Sequence, residues 1–475
     1  MFGKSKSMKK NKENAPLEQE QKQKTNRSQE KKKPFSKNKA SKKTKNSKIK
    51  NRTVLSLDFG SHEIKGVYGK VENNKVLVNS IFKGSVENSW YRDGRVENMD
   101  AAKNNMINIL KKNKIKNTDA VCTVESTDII KREITIPKVE EKDILPLINY
   151  EIGQYLPIDI DSYVIQYKVL SEFVENDLNK LQVLVTAMPK PIVENLLQLV
   201  QSCQLTPYVL DVHFNSLEKL IQMEISSGTD GRNNWDKNVA LVDFGVQKTN
   251  ITLFSNGKYA FNSIIDYGEK DLYDIVKSKC NEPNRLSLDE IHHIMDGMFV
   301  SFEPEKAENI GESDVEAGHE NLSQEYPYLN TETPVAPYGN SEQGINNFEM
   351  TSQNTLTNEV DKIVQETGIE SLRQTYMNFS NVADLNQSMV RSISQLADEI
   401  NKTIRYFAMK KVQNQVDKIY LYGGSSKIKG LEAFLENYCD ISTENVPRLY
   451  CVQLNKNSDF DVSQYLNALG AIIRL

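Results

Sequence analysis

Three short aliphatic runs, widely spaced in a chain of 475 residues, each end in an acidic or glycine turn. Thr53-Val54-Leu55-Ser56-Leu57 leads into Asp58-Phe59-Gly60-Ser61-His62-Glu63-Ile64-Lys65. Val239-Ala240-Leu241-Val242 leads into Asp243-Phe244-Gly245-Val246-Gln247-Lys248-Thr249-Asn250, and Ile419-Tyr420-Leu421-Tyr422 into Gly423-Gly424-Ser425-Ser426-Lys427. Each pattern predicts a buried strand that stops at a sharp turn. A lone Asp-x-Gly after a strand is an ordinary turn; three such endings in this order point to a site.

The layout suits a nucleoside triphosphate. Phosphates are held mainly by backbone N–H groups in turns, where glycine permits close approach and left-handed dihedrals. Gly60, Gly245, Gly423 and Gly424 are the candidate positions. Asp58 and Asp243, at the ends of two facing strands, can hold Mg²⁺ through water, while Ser61 and Thr249 offer hydroxyl and amide donors and Lys65 a point charge. His62, Asn250, Ser425 and Lys427 complete the turn residues placed against the nucleotide. The Gly423-Gly424 turn, with a helix expected over 430–435, leaves room for base and ribose against bare backbone.

With these turns in place, the chain resembles the actin-like ATPase superfamily and, within it, the type IV pilus assembly protein PilM family, related to the division protein FtsA. Tyr150-Glu151-Ile152-Gly153-Gln154-Tyr155-Leu156-Pro157-Ile158-Asp159 is similar to the family segment W-E-A-x-Q-Y-I-P-F-P, and Ile134-Thr135-Ile136-Pro137 precedes it where the family has its strand-Pro step. Leu184 to Val193 is similar to V-A-A-P-K-x-x-V, and Leu205-Thr206-Pro207-Tyr208-Val209-Leu210-Asp211-Val212 to L-x-P-x-x-L-D-V. The resemblance covers roughly residues 53–295 and 385–475.

The resemblance implies an α/β, two-lobed actin-like fold of ribonuclease H-like repeats with an FtsA/PilM-type inserted subdomain. The expected division is a first lobe over 51–126, an inserted subdomain over 127–210, a return to lobe 1 over 211–236, a second lobe over 237–300 and 359–450, and a closing segment over 451–475. It also implies a cytoplasmic, ATP- and Mg²⁺-binding scaffold, peripheral at the inner face of the membrane. Its partner would be the tail of a PilN-like membrane protein, gripped beside Gln154, Tyr155 and Pro157. Self-association stays open, as do an FtsA-like division role and a nucleotide-inactive adaptor. The chain's last residues, Ala468 to Leu475, read as a closing helix and not as an FtsA-type membrane helix.

Three departures from the family pattern fall at the expected site, and the first bears on hydrolysis. Where the family has glutamate after L-D-V, the carboxylate that helps orient the attacking water, this chain has His213. Either the imidazole holds water less firmly, giving slow or absent turnover, or it merely fills a helix start. The family's A-E-x-L-K, whose acid meets the ribose, becomes Leu288-Asp289-Glu290-Ile291-His292, leaving Asp289 as the candidate acid; I-G-G becomes Tyr267-Gly268-Glu269.

Composition divides the chain further. Residues 1–50 carry 18 Lys or Arg against 4 Asp or Glu, a charge of +14, and the remainder carries 42 against 60, a charge of −18. Seventeen of those 18 are lysine, and only Phe2 and Phe35 are aromatic, so the segment lacks the arginine forks and stacking rings of specific nucleic-acid readers. A hydrated disordered tail or attraction to an anionic membrane surface is expected of it. Residues 301–358, rich in Glu, Asn, Ser, Thr and Pro, read as a low-complexity acidic insertion. Nothing approaches the roughly 18 apolar residues of a membrane span. The five cysteines show no Cys-x-x-Cys pair and read as buried thiols.

Overall fold

The computed structural model describes residues 52–87, 89–155, 159–228, 234–281, 283, 286–300, 379, 381–410, 414–454 and 461–474. The expected basic tail and acidic insertion lie outside them. Among these residues no helix is long and apolar enough to cross a membrane.

Strand β1 (Val54–Phe59) is buried at all six positions, as a central strand covered on both faces must be. It pairs antiparallel with β2 (Glu63–Glu72), which pairs antiparallel with β3 (Lys75–Ser85). A short hairpin of β4 (Tyr91–Arg92) and β5 (Arg95–Val96) follows. On its other side β1 pairs parallel with β6 (Asp119–Val124). Three strands, β7 (Ile130–Pro137), β8 (Tyr163–Glu175) and β9 (Leu178–Pro189), form a separate antiparallel sheet in the order β7-β9-β8. Strand β10 (Thr206–Val212) returns to the first sheet, parallel to β6.

The second large sheet contains β11 (Asn238–Phe244), β12 (Thr249–Ser255), β13 (Lys258–Ile265), β14 (Lys418–Tyr422) and β15 (Thr443–Asn445), ordered β13-β12-β11-β14-β15. The last strand, β16 (Val452–Leu454), closes the first sheet beside β3, giving β10-β6-β1-β2-β3-β16. Apart from β16 the two large sheets share one plan. A three-strand antiparallel meander is extended by two parallel strands on the side of its first member.

Among the helices, α1 (Met99–Lys112) starts at Asn98, whose side chain accepts from the Ala101 amide. Helix α2 (Glu141–Tyr155) covers the small sheet through Ile144, Ile148 and Ile152, spaced four apart on one face. These pack with Ile136, Val183 and Val185 into a core of their own. Helix α3 (Lys190–Ser202) turns Ile192, Leu196 and Leu199 into the core of the first large sheet, and β10 is an edge strand of that sheet.

Helix α4 (His213–Ser226) is buried around most of its circumference, as a helix between two layers must be. The closing helix α9 (Leu466–Ile472) packs on it so tightly that a Cβ at Gly470 would lie 2.0 Å from Ser216 O. Residues 269–300 contain two helices, separated at Cys280 to Ser287. Helix α5 (Glu269–Lys279) ends before Cys280, which bridges to Phe379, and α6 (Leu288–Val300) starts anew after Pro283. Glu290 accepts from both the amide and the hydroxyl of Ser287, a reciprocal cap at the start of α6. In α7 (Val382–Lys410), Leu385, Met389, Ile393, Leu396, Ile400, Ile404 and Phe407 form the buried stripe that their spacing predicts. Helix α8 (Leu431–Cys439) begins after Gly430, whose φ of 82° is left-handed. Four cysteines are buried, but Cys439 is only half-buried.

Candidate functional site

The β1–β2 and β11–β12 turns are built alike. The Gly60 amide donates to Glu63 O at 3.1 Å and the Gly245 amide to Lys248 O at 3.2 Å. A Cβ at either glycine would lie 2.8 Å from that same carbonyl, so the tight turn requires glycine. The third turn meets the second: the Ser425 amide donates to Phe244 O at 3.2 Å. Gly423 has φ 98°, and a Cβ there would stand 2.1 Å from Asp243 Oδ1. A Cβ at Gly424 would meet no described atom within 4 Å, so space opens beside this backbone.

Asp58 is buried at the end of β1 and opposite Lys65 in the β1–β2 register. Its Oδ1 lies 2.8 Å from His213 Nε2, and its Oδ2 accepts from Asn467 Nδ2 at 3.4 Å. Burial alone would raise its pKa, but the charge and hydrogen bond of His213, with Lys65, hold it below the ordinary value. His213 is driven down by burial, yet Asp58 outweighs this and holds the imidazole above its ordinary pKa. Half-buried Asp243 goes the other way. Burial, reinforced by the charge of Asp58, raises it despite Lys65 and His213. Ionisation is thus favoured at one carboxylate and disfavoured at its neighbour, relative to free carboxyl groups.

The other candidate positions differ in what they present. Ser61 is half-buried and His62 exposed, and the His62 carbonyl accepts from the Val86 amide. Thr249 is fully buried and donates its hydroxyl to Tyr267 O at 2.8 Å, so that hydroxyl is committed within the fold and not offered to a phosphate. Asn250 Oδ1 accepts from Asn262 Nδ2. Ser425 donates to Glu269 Oε2 at 2.6 Å, and Lys427 pairs with Asp461 at 2.5 Å. Gln154 is exposed near the end of α2; Pro157 and the side chains of Tyr155 and Asp289 lie outside what is described.

Several residues at this place are not among the sequence candidates. Glu269, first residue of α5, is buried between Ser425 and His292, whose Nε2 is 2.9 Å from Glu269 Oε1. Its amide donates to Gly245 O, tying α5 to the second turn. The signal for it was the loss of a family glycine at 269. Asn467 is a lone polar residue inside the apolar run of α9. Glu125, directly after β6, is half-buried in its ion pair with Lys131, and its charge acts on His213.

Several buried polar atoms here have no partner in the structure, among them His213 Nδ1, Glu125 Oε2, Asn250 Nδ2 and Asn467 Oδ1. Folded proteins pair nearly all such atoms, so their accumulation around the paired turns fits a polar ligand or ordered water. Among the described residues no group of three or more His, Cys, Asp or Glu could hold a metal ion. Two carboxylates and open glycine backbone suit Mg²⁺, which keeps several waters and takes phosphate oxygens, better than a metal needing a full protein cage.

Two like sheets with paired Asp-Phe-Gly turns, and a third glycine turn between their ends, define an actin-like ATPase fold. The structure is similar to one described as "PilM-PilN type IV pilus biogenesis complex", with TM-score 0.58 and 16% identity, covering 88% of this chain and 97% of that one. Weaker likenesses extend to ethanolamine utilization protein EutJ from Carboxydothermus hydrogenoformans, with TM-score 0.40, 10% identity and coverage of 88% and 89%. MreB5 of Spiroplasma citri bound to ADP gives TM-score 0.33 at 10% identity, with 88% and 94% covered. No curated protein sequence matches the chain. The sequence profile of the family described as "Type IV pilus assembly protein PilM" matches residues 56–282 and 385–474, well over half of the chain, and the chain belongs to that family.

Proposed function

We propose that this PilM-family protein is an ATP-binding scaffold that holds the tail of a PilN-like membrane protein at the inner face of the membrane. The observation that carries the nucleotide reading is the matched pair of turns at Gly60 and Gly245, with Asp58 and Asp243 at their strand ends. Free amides in such turns bind anionic oxygens without a side chain in the way. Asp58 and Asp243 would hold Mg²⁺ through water, and the ion would neutralise phosphate charge. Lys65 adds a cation opposite Asp58, and the open backbone at Gly424 leaves room for the nucleoside.

His213, bonded to Asp58, holds that carboxylate and orients water less well than a fixed carboxylate would, so turnover is slow. Nucleotide then acts as a ligand that favours one arrangement of the lobes. The partner reading is supported by the similarity to a PilM-PilN complex. Its place is the surface at the end of α2 near Gln154, where Leu145 and Tyr150 are exposed on the same helix.

Thermal unfolding with and without Mg·ATP tests the nucleotide reading. At a hundredfold excess over Kd the complex should gain about 2.7 kcal/mol, seen as a rise in Tm. Asp58→Ala and Asp243→Ala should abolish the rise. No calorimetric heat and no Tm change with ATP, ADP or GTP near millimolar concentration would rule it out. For the partner, a peptide from the N-terminus of a PilN-like protein should bind wild type and lose affinity in Tyr150→Asp, whereas equal binding to both would move the groove elsewhere.

A further inference from the structure

The chain enters the small sheet through residues 125–131, and two runs of side-chain contacts link this segment to the second turn and the start of β12. Lys131, in β7, donates to Glu125 Oε1 at 2.7 Å and to Asn262 Oδ1 at 2.8 Å. Asn262, in β13, donates in turn to Asn250 Oδ1 at 2.6 Å, and Asn250 directly follows Thr249 at the start of β12. The Lys131 and Glu125 side chains are only 8% and 10% exposed, so the pair is shielded from water, and the ammonium lies 5.6 Å from the ring centre of Phe214, next to His213. A second bridge runs beside the first. Lys248, in the second turn, pairs at 3.1 Å with Asp93 in the β4–β5 hairpin, and Asp93 accepts from the amide and hydroxyl of Thr127.

We propose that Lys131, through Asn262 and Asn250, is a positioning residue that couples occupancy of the second turn to the orientation of the β7-β9-β8 sheet. Lys248 and Asp93 form a parallel brace. This rests on the nucleotide reading of the cleft. Buried, hydrogen-bonded side chains have few alternative arrangements, so a shift at one end must be answered at the other or leave a polar group unpaired. Asn250 Nδ2 has no partner, so a ligand oxygen at the second turn can draw on this side chain and thereby pull on Asn262 and Lys131. Coupling of this kind is reciprocal: what fixes the small sheet also changes affinity in the cleft. A purely structural role for the contacts would stabilise the fold but transmit nothing.

Amide hydrogen exchange over 130–137 and 249–265 separates these cases. The variants are Asn262→Leu, which keeps the Lys131–Glu125 pair, and Lys248→Met, at a half-exposed position that tolerates change. Without ligand, Asn262→Leu should raise exchange about tenfold at both ends of the bridge, and unchanged exchange in 130–137 would overturn the proposal. With saturating Mg·AMPPNP, wild type should gain at least about threefold protection in 130–137. Asn262→Leu should lose that gain while keeping its ligand-induced Tm rise, and Asn262→Asp, which keeps an acceptor for Lys131 but has no N–H for Asn250 Oδ1, should lose it as well. Lys248→Met should reduce it. A Tm rise in wild type with no protection in 130–137 would overturn the coupling alone; no Tm rise at all would instead overturn the nucleotide reading.

Discussion

His213 Nε2 and Asp58 Oδ1 lie 2.8 Å apart, joining the first residue of α4 to the end of β1 across 155 positions of sequence. Both side chains are nearly fully buried. The bond places an imidazole against the carboxylate that would face Mg²⁺, and it gives one residue two consequences, one for stability and one for turnover.

For stability, His213→Ala leaves a buried carboxylate without its main partner. Loss of about 1–3 kcal/mol is expected, the cost of an unsatisfied buried group, measured by urea unfolding. A loss below a few tenths would mean that Asp58 relaxes toward Lys65 or solvent.

For turnover, His213→Glu restores a carboxylate able to orient water. Release of phosphate from ATP should rise about 10- to 100-fold over a slow wild-type rate. The same substitution sets two carboxylates together and should lower ligand-free stability. Wild type already turning over at ordinary ATPase rates, or a slower glutamate variant, would contradict this assignment.

Asp243 should behave in the opposite sense. Burial and the charge of Asp58 both disfavour its ionised form. Asp243→Asn should therefore leave ligand-free stability unchanged or raise it by about 1 kcal/mol, while abolishing the Mg·ATP-induced rise in Tm, as expected where a functional site stores unfavourable charge. A variant clearly less stable than wild type would show that the carboxylate is a structural group.

The parts of this arrangement differ in how far sequence reveals them. Leu385 to Phe407 are readable as a buried stripe because helical burial repeats with a fixed period. The strand endings at Asp58 and Asp243 are readable because a strand buried on both faces is a continuous apolar run that must stop at a turn. The packing of α3 onto the first large sheet is not. Its apolar face would suit either neighbouring core, and only the tertiary arrangement decides. Likewise nothing local predicts that Thr249 spends its hydroxyl on Tyr267 O, or that Glu269 lies between Ser425 and His292. Side-chain pairing across 18 to 156 positions leaves no periodic trace.

Stability against acid tests the buried pair at the start of α4. Asp211 accepts from Lys219 at 2.6 Å, from Asn215 and from the Val212 amide. Burial would raise its pKa, but these partners hold it below the ordinary carboxylate value. Unfolded, it titrates near about 3.9, so between that pH and the lower folded value only the unfolded chain binds the proton. Its contribution is therefore full above about pH 5 and fades as pH falls through the folded pKa. Asp211→Asn strands the Lys219 ammonium and should cost about 3–5 kcal/mol at pH 7, with the gap from wild type narrowing below about pH 4. A gap independent of pH would assign the loss to packing.

The +14 segment of residues 1–50 lies outside the described residues, yet its composition makes a definite expectation. Lysines near an anionic membrane contribute roughly 1 kcal/mol each, and the attraction falls as salt shortens the Debye length to about 8 Å at physiological ionic strength. With one arginine among 18 basic residues, attraction to charge is favoured over recognition of sequence. A partner anchored in the same membrane would raise effective concentration and make even weak attraction count. Full-length protein should float with phosphatidylserine-containing liposomes at low salt and less so at physiological salt, while a variant lacking residues 1–50 should stay behind in both. Equal flotation of the two proteins would leave the segment without a membrane role and place surface attachment wholly on the protein partner.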